Sequence, residues 1–330
     1  MTAPRYWHHT DFPFHRALTQ IGCYWEEGRG HTEMYLIRGE RLGLIDTGVA
    51  STPAEYIEPA LRSMGLSLRD VEVVINSHGH HDHAGGNDAV HRAAQCEIWI
   101  HRDDAPIARD PDAAFDLFFA RNLSLVGRAS RLEQARVAHR VTAGQPAPIA
   151  RELVDGDVLD FGRGIAFRVV HTPGHTRGCI TLHWEAEGIA ISEDSALGRG
   201  SRPGGMPLIF YPDLYRSSLQ RIEGLRPRVL CLGHHYLTLR QTRESIRYGD
   251  LVAAFLRESA EIQEHIEAAM DRALLALGTG APFEQLARGA LRHLEEEMDL
   301  AAGPDGWPNG AIGALSSAWA ARTGALIAGH

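Results

Sequence analysis

The 330-residue chain contains no lysine; arginine supplies all 33 of its basic side chains. That excludes a Schiff base and any other lysine-centred covalent chemistry. Cysteine is nearly as scarce. Cys23, Cys96, Cys179 and Cys231 are scattered without a CxxC spacing, which argues against a disulfide framework and a thiolate-rich zinc site, so packed, reduced thiols are expected. Positive charge is in deficit, with 33 basic against 42 acidic residues and a formal net charge of −9. A nucleic-acid partner is therefore not expected, because phosphates need a basic surface. No apolar run is long enough to span a bilayer, and the first residues lack the apolar core of a secretory signal, so the expectation is a cytoplasmic protein without a membrane partner. There is no internal repeat. The 44% hydrophobic and 23% charged content fits a globular protein whose length allows one large α/β domain with appendages, or two domains.

Histidine, by contrast, is abundant, with 19 residues. Four of them and an aspartate fall within six positions, in Ser77-His78-Gly79-His80-His81-Asp82-His83-Ala84-Gly85-Gly86. An apolar strand over 71–75 leads into this stretch and a helix over 87–94 leaves it, which places the cluster in a loop at a sheet edge. Imidazole and carboxylate suit a borderline divalent metal such as zinc, with His78 and His80 as a chelating pair and Asp82 and His83 turned toward a second point.

Elsewhere the pattern predicts strands over 21–26, 33–38, 42–46, 97–100, 151–154, 165–170, 179–184, 188–192 and 229–232. Residues 53–64 read as a helix with Pro53 in its first turn, and 103–143 as a mostly helical insertion carrying Phe115, Phe118 and Phe119, expected to be core rather than pocket. Tyr6, Trp7, Phe12 and Phe14 are expected to cover the core or the pocket edge. Further chemistry-bearing side chains stand at strand ends: Asp46 in Asp46-Thr47-Gly48, read as support for the metal loop; His101, read as a surface or supporting histidine; His171 and His175 in His171-Thr172-Pro173-Gly174-His175-Thr176; Asp194 after the strand over 188–192; and His234 in Gly233-His234-His235-Tyr236. Helices are expected over 240–270, 282–300 and 311–327.

These motifs resemble the metallo-β-lactamase-fold hydrolase superfamily, in its binuclear glyoxalase II and lactonase-like branch. His78-Gly79-His80-His81-Asp82-His83 matches its HxHxDH motif, and Asp46-Thr47-Gly48, Thr172-Pro173-Gly174-His175-Thr176 and Gly233-His234 match its other signatures in order. Asp194 stands where the family has a bridging aspartate, but Glu193 replaces the glycine that usually precedes it. The resemblance covers about residues 21–236. It implies an αβ/βα sandwich of two mixed sheets flanked by helices, as a catalytic domain over 1–239, followed by a helical region over 240–330 that forms a lid or pocket wall, or a homodimer interface.

It further implies two divalent metal ions, zinc first and iron or manganese as alternatives. His78, His80 and His175 would hold one; Asp82, His83 and His234 the other; Asp194 would bridge them together with a hydroxide. Asp82 would also orient that hydroxide or carry a proton, which makes it the catalytic residue. His81 occupies the free position of the motif, His171 supports a turn, Cys179 is a packed thiol, and Tyr211, His235 and Tyr236 are candidate substrate contacts. The expected reaction is hydrolysis of a carbonyl ester, a thioester or lactone, on a small molecule or an acyl carrier. Alternatives are a phosphoesterase, a mononuclear iron persulfide dioxygenase-like oxidoreductase, or a regulatory protein with weak turnover.

Overall fold

A computed structural model of the chain describes residues 7–9, 16–25, 30–238, 240, 244–303 and 305–325. Tyr6, Phe12 and Phe14, the last residue of the strand expected over 21–26, residue 239 at the expected boundary, and the end of the helix expected over 311–327 lie outside the described residues. Among the described residues, thirteen strands form two sheets. The first has the order β1 (Trp7–His9), β2 (Leu18–Trp25), β3 (Gly30–Arg38), β4 (Leu42–Ile45), β5 (Val73–Asn76), β6 (Glu97–His101) and β7 (Arg151–Leu153). The second contains β8 (Val158–Asp160), β9 (Ala166–His171), β10 (Ile180–Trp184), β11 (Ile189–Ile191), β12 (Val229–Tyr236) and β13 (Glu244–Tyr248). Both are mixed: β4 to β7 run parallel, as do β11 and β12, and the remaining neighbours are antiparallel.

The apolar runs of the sequence become strands buried on both faces, and the two-residue side-chain period divides each run between two cores. Tyr35, Ile37, Ile45, Val73 and Ile75 point inward to meet Phe167, Val169, Leu182, Ile191, Val229 and Cys231 of the other sheet. Their neighbours Met34, Leu36, Leu44 and Val74 face outward onto Tyr56, Ile57, Leu61 and Val90. These last belong to the helical turn Pro53–Ile57, its continuation α1 (Glu58–Ser63), the short α2 (His81–Ala84) being skipped, and α3 (Asn87–Ala94). Each fully buried aliphatic or aromatic side chain contributes roughly 1.5–3 kcal/mol, so the inter-sheet layer and the outer cores together hold the sandwich. Tyr35 adds a polar tie across it, its hydroxyl donating to the Leu232 carbonyl at 2.8 Å.

Residues 103–143 are helical as expected, comprising α4 (Ala105–Arg109), α5 (Pro111–Phe115), the turn Asp116–Ala120, α6 (Arg121–Leu125) and α7 (Leu132–Ala143). On the outer face of the second sheet, α8 (Pro212–Gly224) and the start of α9 (Asp250–Leu277) pack through Tyr215, Leu219, Ile222, Val252, Phe255 and Leu256. The far half of α9 leaves the sheet and builds a separate apolar cluster with α10 (Phe283–Met298) and α11 (Ala311–Thr323), using Ile262, Ile266, Met270, Leu286, Leu294 and Leu315. No helix among the described residues is long and apolar enough to cross a membrane. All four cysteines are buried and free, as expected.

The helix expected to start at residue 240 is corrected: residues 244–248 are strand β13, paired antiparallel with β12, and α9 begins only at Asp250. Edge pairing overrides the helical period there. Arg247 is buried and donates to the Tyr236 carbonyl at 3.0 Å, and Gln20 Nε2 donates to Ser245 Oγ at 2.6 Å, which ties β13 to β2. The three-residue strands β1 and β8 also had no counterpart in the expected pattern, being too short to show a period.

Candidate metal centre

The ends of β4, β5, β9, β11 and β12 converge at one rim of the sandwich, where the chain leaves each strand through a polar turn. The turn after β4 places Asp46 in the left-handed region (φ 60°), and its buried carboxylate organises the histidine loop. Asp46 Oδ1 accepts from the Ser77 amide at 2.8 Å, and Oδ2 accepts from the Ser77 hydroxyl at 2.6 Å while lying 2.8 Å from His83 Nδ1. The Thr47 amide donates to the His83 carbonyl at 2.7 Å, tying the end of α2 to the turn after β4. Asp46 thus supports the loop, as its place in the sequence indicated.

The structure brings the sequence-predicted residues together in two sets. The ligand atoms of His78, His80 and His175 lie within 4.8 Å of one another, and so do those of Asp82, His83 and His234. Asp194, in the turn after β11, stands between the sets: its Oδ2 is 3.3 Å from His175 Nε2 and 3.4 Å from His234 Nε2, and its Oδ1 is 3.5 Å from His83 Nε2. Asp82 Oδ2 is 3.6 Å from His234 Nε2. Outer partners fix which ring nitrogen each histidine presents. His78 Nδ1 meets Ser77 Oγ at 3.0 Å, His83 Nδ1 meets Asp46, His175 Nδ1 meets the Leu208 carbonyl at 2.6 Å, and His234 Nδ1 meets the His31 carbonyl. In all four, Nε2 is left for the centre. His80 differs, turning Nδ1 to His175 Nε2 at 2.7 Å and resting its ring edge-on against Phe118 at 4.5 Å.

Electrostatics agree with a cation at this point. Burial pushes His78, His80 and His175 below the ordinary histidine value, which keeps them neutral and able to coordinate. Burial also opposes charge on His83 and His234, but the surrounding carboxylates together outweigh it, Asp194 foremost in both, joined by Asp46 and Asp82 at His83 and by Asp82 at His234, and both are raised. Against the cost of burial, His83 for Asp82 and His234 for Asp194 lead the contacts that hold those carboxylates low. His78 Nε2 and Asp194 Oδ1 are buried and have no hydrogen-bond partner. A buried ring nitrogen and carboxylate oxygen without hydrogen bonds are costly, and this imidazole and carboxylate donor set fits divalent metal ions.

Two backbone details explain the motif positions. A Cβ on Gly233 would lie 2.5 Å from Asp194 Oδ1 and 2.8 Å from His83 Cε1, so only glycine lets β12 approach the centre. Glu193 occupies a left-handed conformation (φ 44°), where glycine is least strained. Its carboxyl is fully buried, and burial followed by the Asp46 charge pushes it well above the usual carboxylate range.

A cavity of about 300 Å³ opens over the centre, lined by His80, Asp82, His175, Asp194 and His234 together with Trp25, Phe119, Leu197, Arg202, Met206, Leu208, Tyr236 and Asn309. Tyr236 therefore lies where a substrate contact was expected. Two other candidates do not. Strand alternation puts His234 and Tyr236 on the cavity side and turns His235 to Glu33, 3.0 Å away. Tyr211 packs under the Arg177 guanidinium (4.7 Å) and lines a different groove with Pro212 and Ala320. His81 points away from both sets, edge-on to Trp25 and His139, although it borders the cavity. Phe115 and Phe118 are core, as expected, whereas Phe119 reaches the cavity. His171 stacks on His101 with ring centroids 4.0 Å apart, its Nε2 2.7 Å from the Arg177 carbonyl, a turn-supporting role for both.

Sequence reasoning missed Asp104. Its carboxylate accepts from the Gly79 amide (2.8 Å), the Gly178 amide (2.7 Å) and the Thr176 hydroxyl (2.6 Å), clamping the two histidine loops together. No local motif marks it. Glu33 was also missed, although a lone acid inside an apolar strand was a readable signal.

Similarity to known proteins follows the same outline. A Bacillus subtilis protein named probable metallo-hydrolase YqjP is 26% identical over 225 residues, covering 62% of this chain and 67% of that protein. The human protein named acyl-coenzyme A thioesterase MBLAC2 is 32% identical over 198 residues, 54% of this chain and 65% of that protein, just under two thirds of its length. A solved metallo-beta-lactamase family protein from Thermus thermophilus superposes with a TM-score of 0.68 at 19% identity, covering 94% of both chains. The family model of the metallo-beta-lactamase superfamily matches residues 28–234, well over half of the sequence, and the chain belongs to that superfamily of hydrolases.

Proposed function

We propose that this protein hydrolyses a carbonyl ester, a thioester ahead of a lactone, with His78, His80 and His175 holding one divalent cation and Asp82, His83 and His234 a second. The observation that carries this reading is the position of Asp194 between two three-residue donor sets, at the floor of a cavity with apolar walls. When bound, such cations supply a nucleophilic water at neutral pH and polarise a carbonyl oxygen; zinc suits the imidazole-rich donors.

The chain's own residues do the rest. Asp82 stays ionised beside His83 and His234, so its carboxylate accepts a hydrogen bond from the attacking water and orients it toward the substrate carbonyl. Burial, followed by the Asp194 and Asp82 charges, keeps the Tyr236 hydroxyl protonated far above neutral pH, a donor for a substrate oxygen. Phe119, Leu197, Met206 and Leu208 supply a surface for an acyl group, and the human relative bears the name of an acyl-coenzyme A thioesterase. Asn309, which precedes α11, also lines the cavity, which supports a pocket-wall role for the helical region.

The test is a metal-defined activity screen over acyl thioesters, lactones and phosphodiesters, with Asp82→Ala as control. Thioester turnover well above that of Asp82→Ala is expected. Turnover confined to phosphodiesters, or one iron per chain with oxygen uptake, refutes the reading.

A further inference from the structure

We propose that His31, Glu33 and His235 form an additional binding site for a divalent cation of the zinc type, separate from the two donor sets already described. The three ligand atoms lie within 4.8 Å of one another. Glu33, in the middle of the first sheet on β3, is fully buried, and its Oε1 is 3.1 Å from His31 Nε2 and 3.0 Å from His235 Nε2. Ligands of a tetrahedral zinc with bonds of 2.0–2.1 Å stand about 3.3 Å apart, so these separations are close to those around an ion. The two rings lie side by side, centroids 4.0 Å apart and planes inclined by 35°, which aims both toward the same carboxylate. Glu33 Oε2 is buried and has no hydrogen-bond donor among the described residues.

Two histidines and one glutamate make a recognised zinc donor set that leaves one position open. Both groups are in the form a metal needs. Burial opposes charge on Glu33, but the bonds from His235 and His31 hold it at about 2, while burial pushes His31 down to about 4. The His235 side chain is 27% exposed and gives an ion a path from solvent. The site also touches the main centre through the backbone, because the His31 carbonyl receives His234 Nδ1. A cation held by the His31 ring would fix the carbonyl that orients His234.

The experiment counts zinc. Chelator-stripped protein is dialysed against buffered free Zn²⁺ and zinc per chain is measured by mass spectrometry, for the wild type, Glu33→Gln and His235→Ala. Each comparison is repeated in a His234→Ala background, so that disturbance of the neighbouring centre is not mistaken for loss of this site. The expected result is one equivalent fewer in Glu33→Gln and in His235→Ala, in both backgrounds. Equal zinc in the His234→Ala protein with and without these substitutions overturns the proposal and leaves a hydrogen-bonded triad only. Should Glu33→Gln fail to fold, His235→Ala, whose side chain reaches solvent, decides.

Discussion

Asp104→Asn is the substitution whose cost is best defined by the structure. The native carboxylate serves three donors: Gly178 N–H on Oδ1, and Gly79 N–H with the Thr176 hydroxyl on Oδ2. An asparagine has one acceptor oxygen. If that oxygen takes the Gly178 side, its amide N–H faces the Gly79 N–H; if it takes the other side, it faces the Gly178 N–H. Either way one buried backbone donor loses its acceptor, which costs about 1–3 kcal/mol. An opposing effect exists, because burial raises the Asp104 pKa despite its three donors, so a neutral side chain relieves part of the cost of a buried charge. The orphaned donor wins, and a net loss of about 2 kcal/mol is expected. Asp104→Ala, which abandons all three donors and leaves a void, should cost about 4 kcal/mol. Urea unfolding of metal-stripped protein isolates the clamp from metal binding. Asp104→Asn as stable as the wild type would show that charge burial, not donor satisfaction, governs this site. The metal-loaded protein should also lose about 10-fold or more in metal affinity, because the two loops carry His78, His80 and His175.

His175→Ala and Asp194→Ala should lower metal content and turnover together, read by elemental analysis beside an activity assay; an Asp194→Ala protein that kept all its tightly bound ions would show that Asp194 is not shared. Tyr236→Phe should leave metal content unchanged and lower kcat about 10-fold, and an unchanged kcat removes Tyr236 from catalysis. His101 is buried, and burial followed by its stacked neighbour His171 pushes it down to about 4. Its folded value lies below the unfolded value of about 6.5, so between pH 6.5 and 4 the unfolded chain binds more protons. Stability should therefore fall as pH drops through that window, by about 2 kcal/mol after allowance for solvent screening, and His101→Phe should flatten the fall in chemical denaturation.

The convergence of the candidate metal-holding residues was legible in the sequence because they sit in short local motifs at strand ends, where a strand, a turn and a metal-competent side chain occur within ten residues. The strands buried on both faces were legible for a related reason, as continuous apolar runs such as 71–75. What escaped detection depends on long-range contacts. Asp104 meets Gly178 across 74 residues, and nothing in its own neighbourhood announces that. Strand β13 carries a pattern compatible with a helix and is a strand because the edge of β12 needs a partner. Tyr211 and His235 adjoin motif residues in the chain but face elsewhere, since adjacency in sequence does not settle which side of a strand or loop a side chain takes. Glu193 shows the converse: the departure from the family glycine is visible in sequence, while the backbone angle that makes glycine favourable there is not.

The wall of the cavity and one candidate ligand share a hydrogen bond, since His175 Nδ1 meets the carbonyl of Leu208, and Leu208 also lines the space above the centre. A molecule that presses on the segment around Leu208 therefore acts on the tautomer and orientation of an imidazole proposed to hold a cation. Linkage requires the effect to run both ways: whatever a ligand in the cavity adds to the affinity of this ring for a cation, the cation adds to the affinity of the cavity for that ligand. On the proposed function, occupancy of the pocket and occupancy of the centre would thus be one coupled equilibrium, and a dissociation constant measured for either would need the concentration of the other stated beside it.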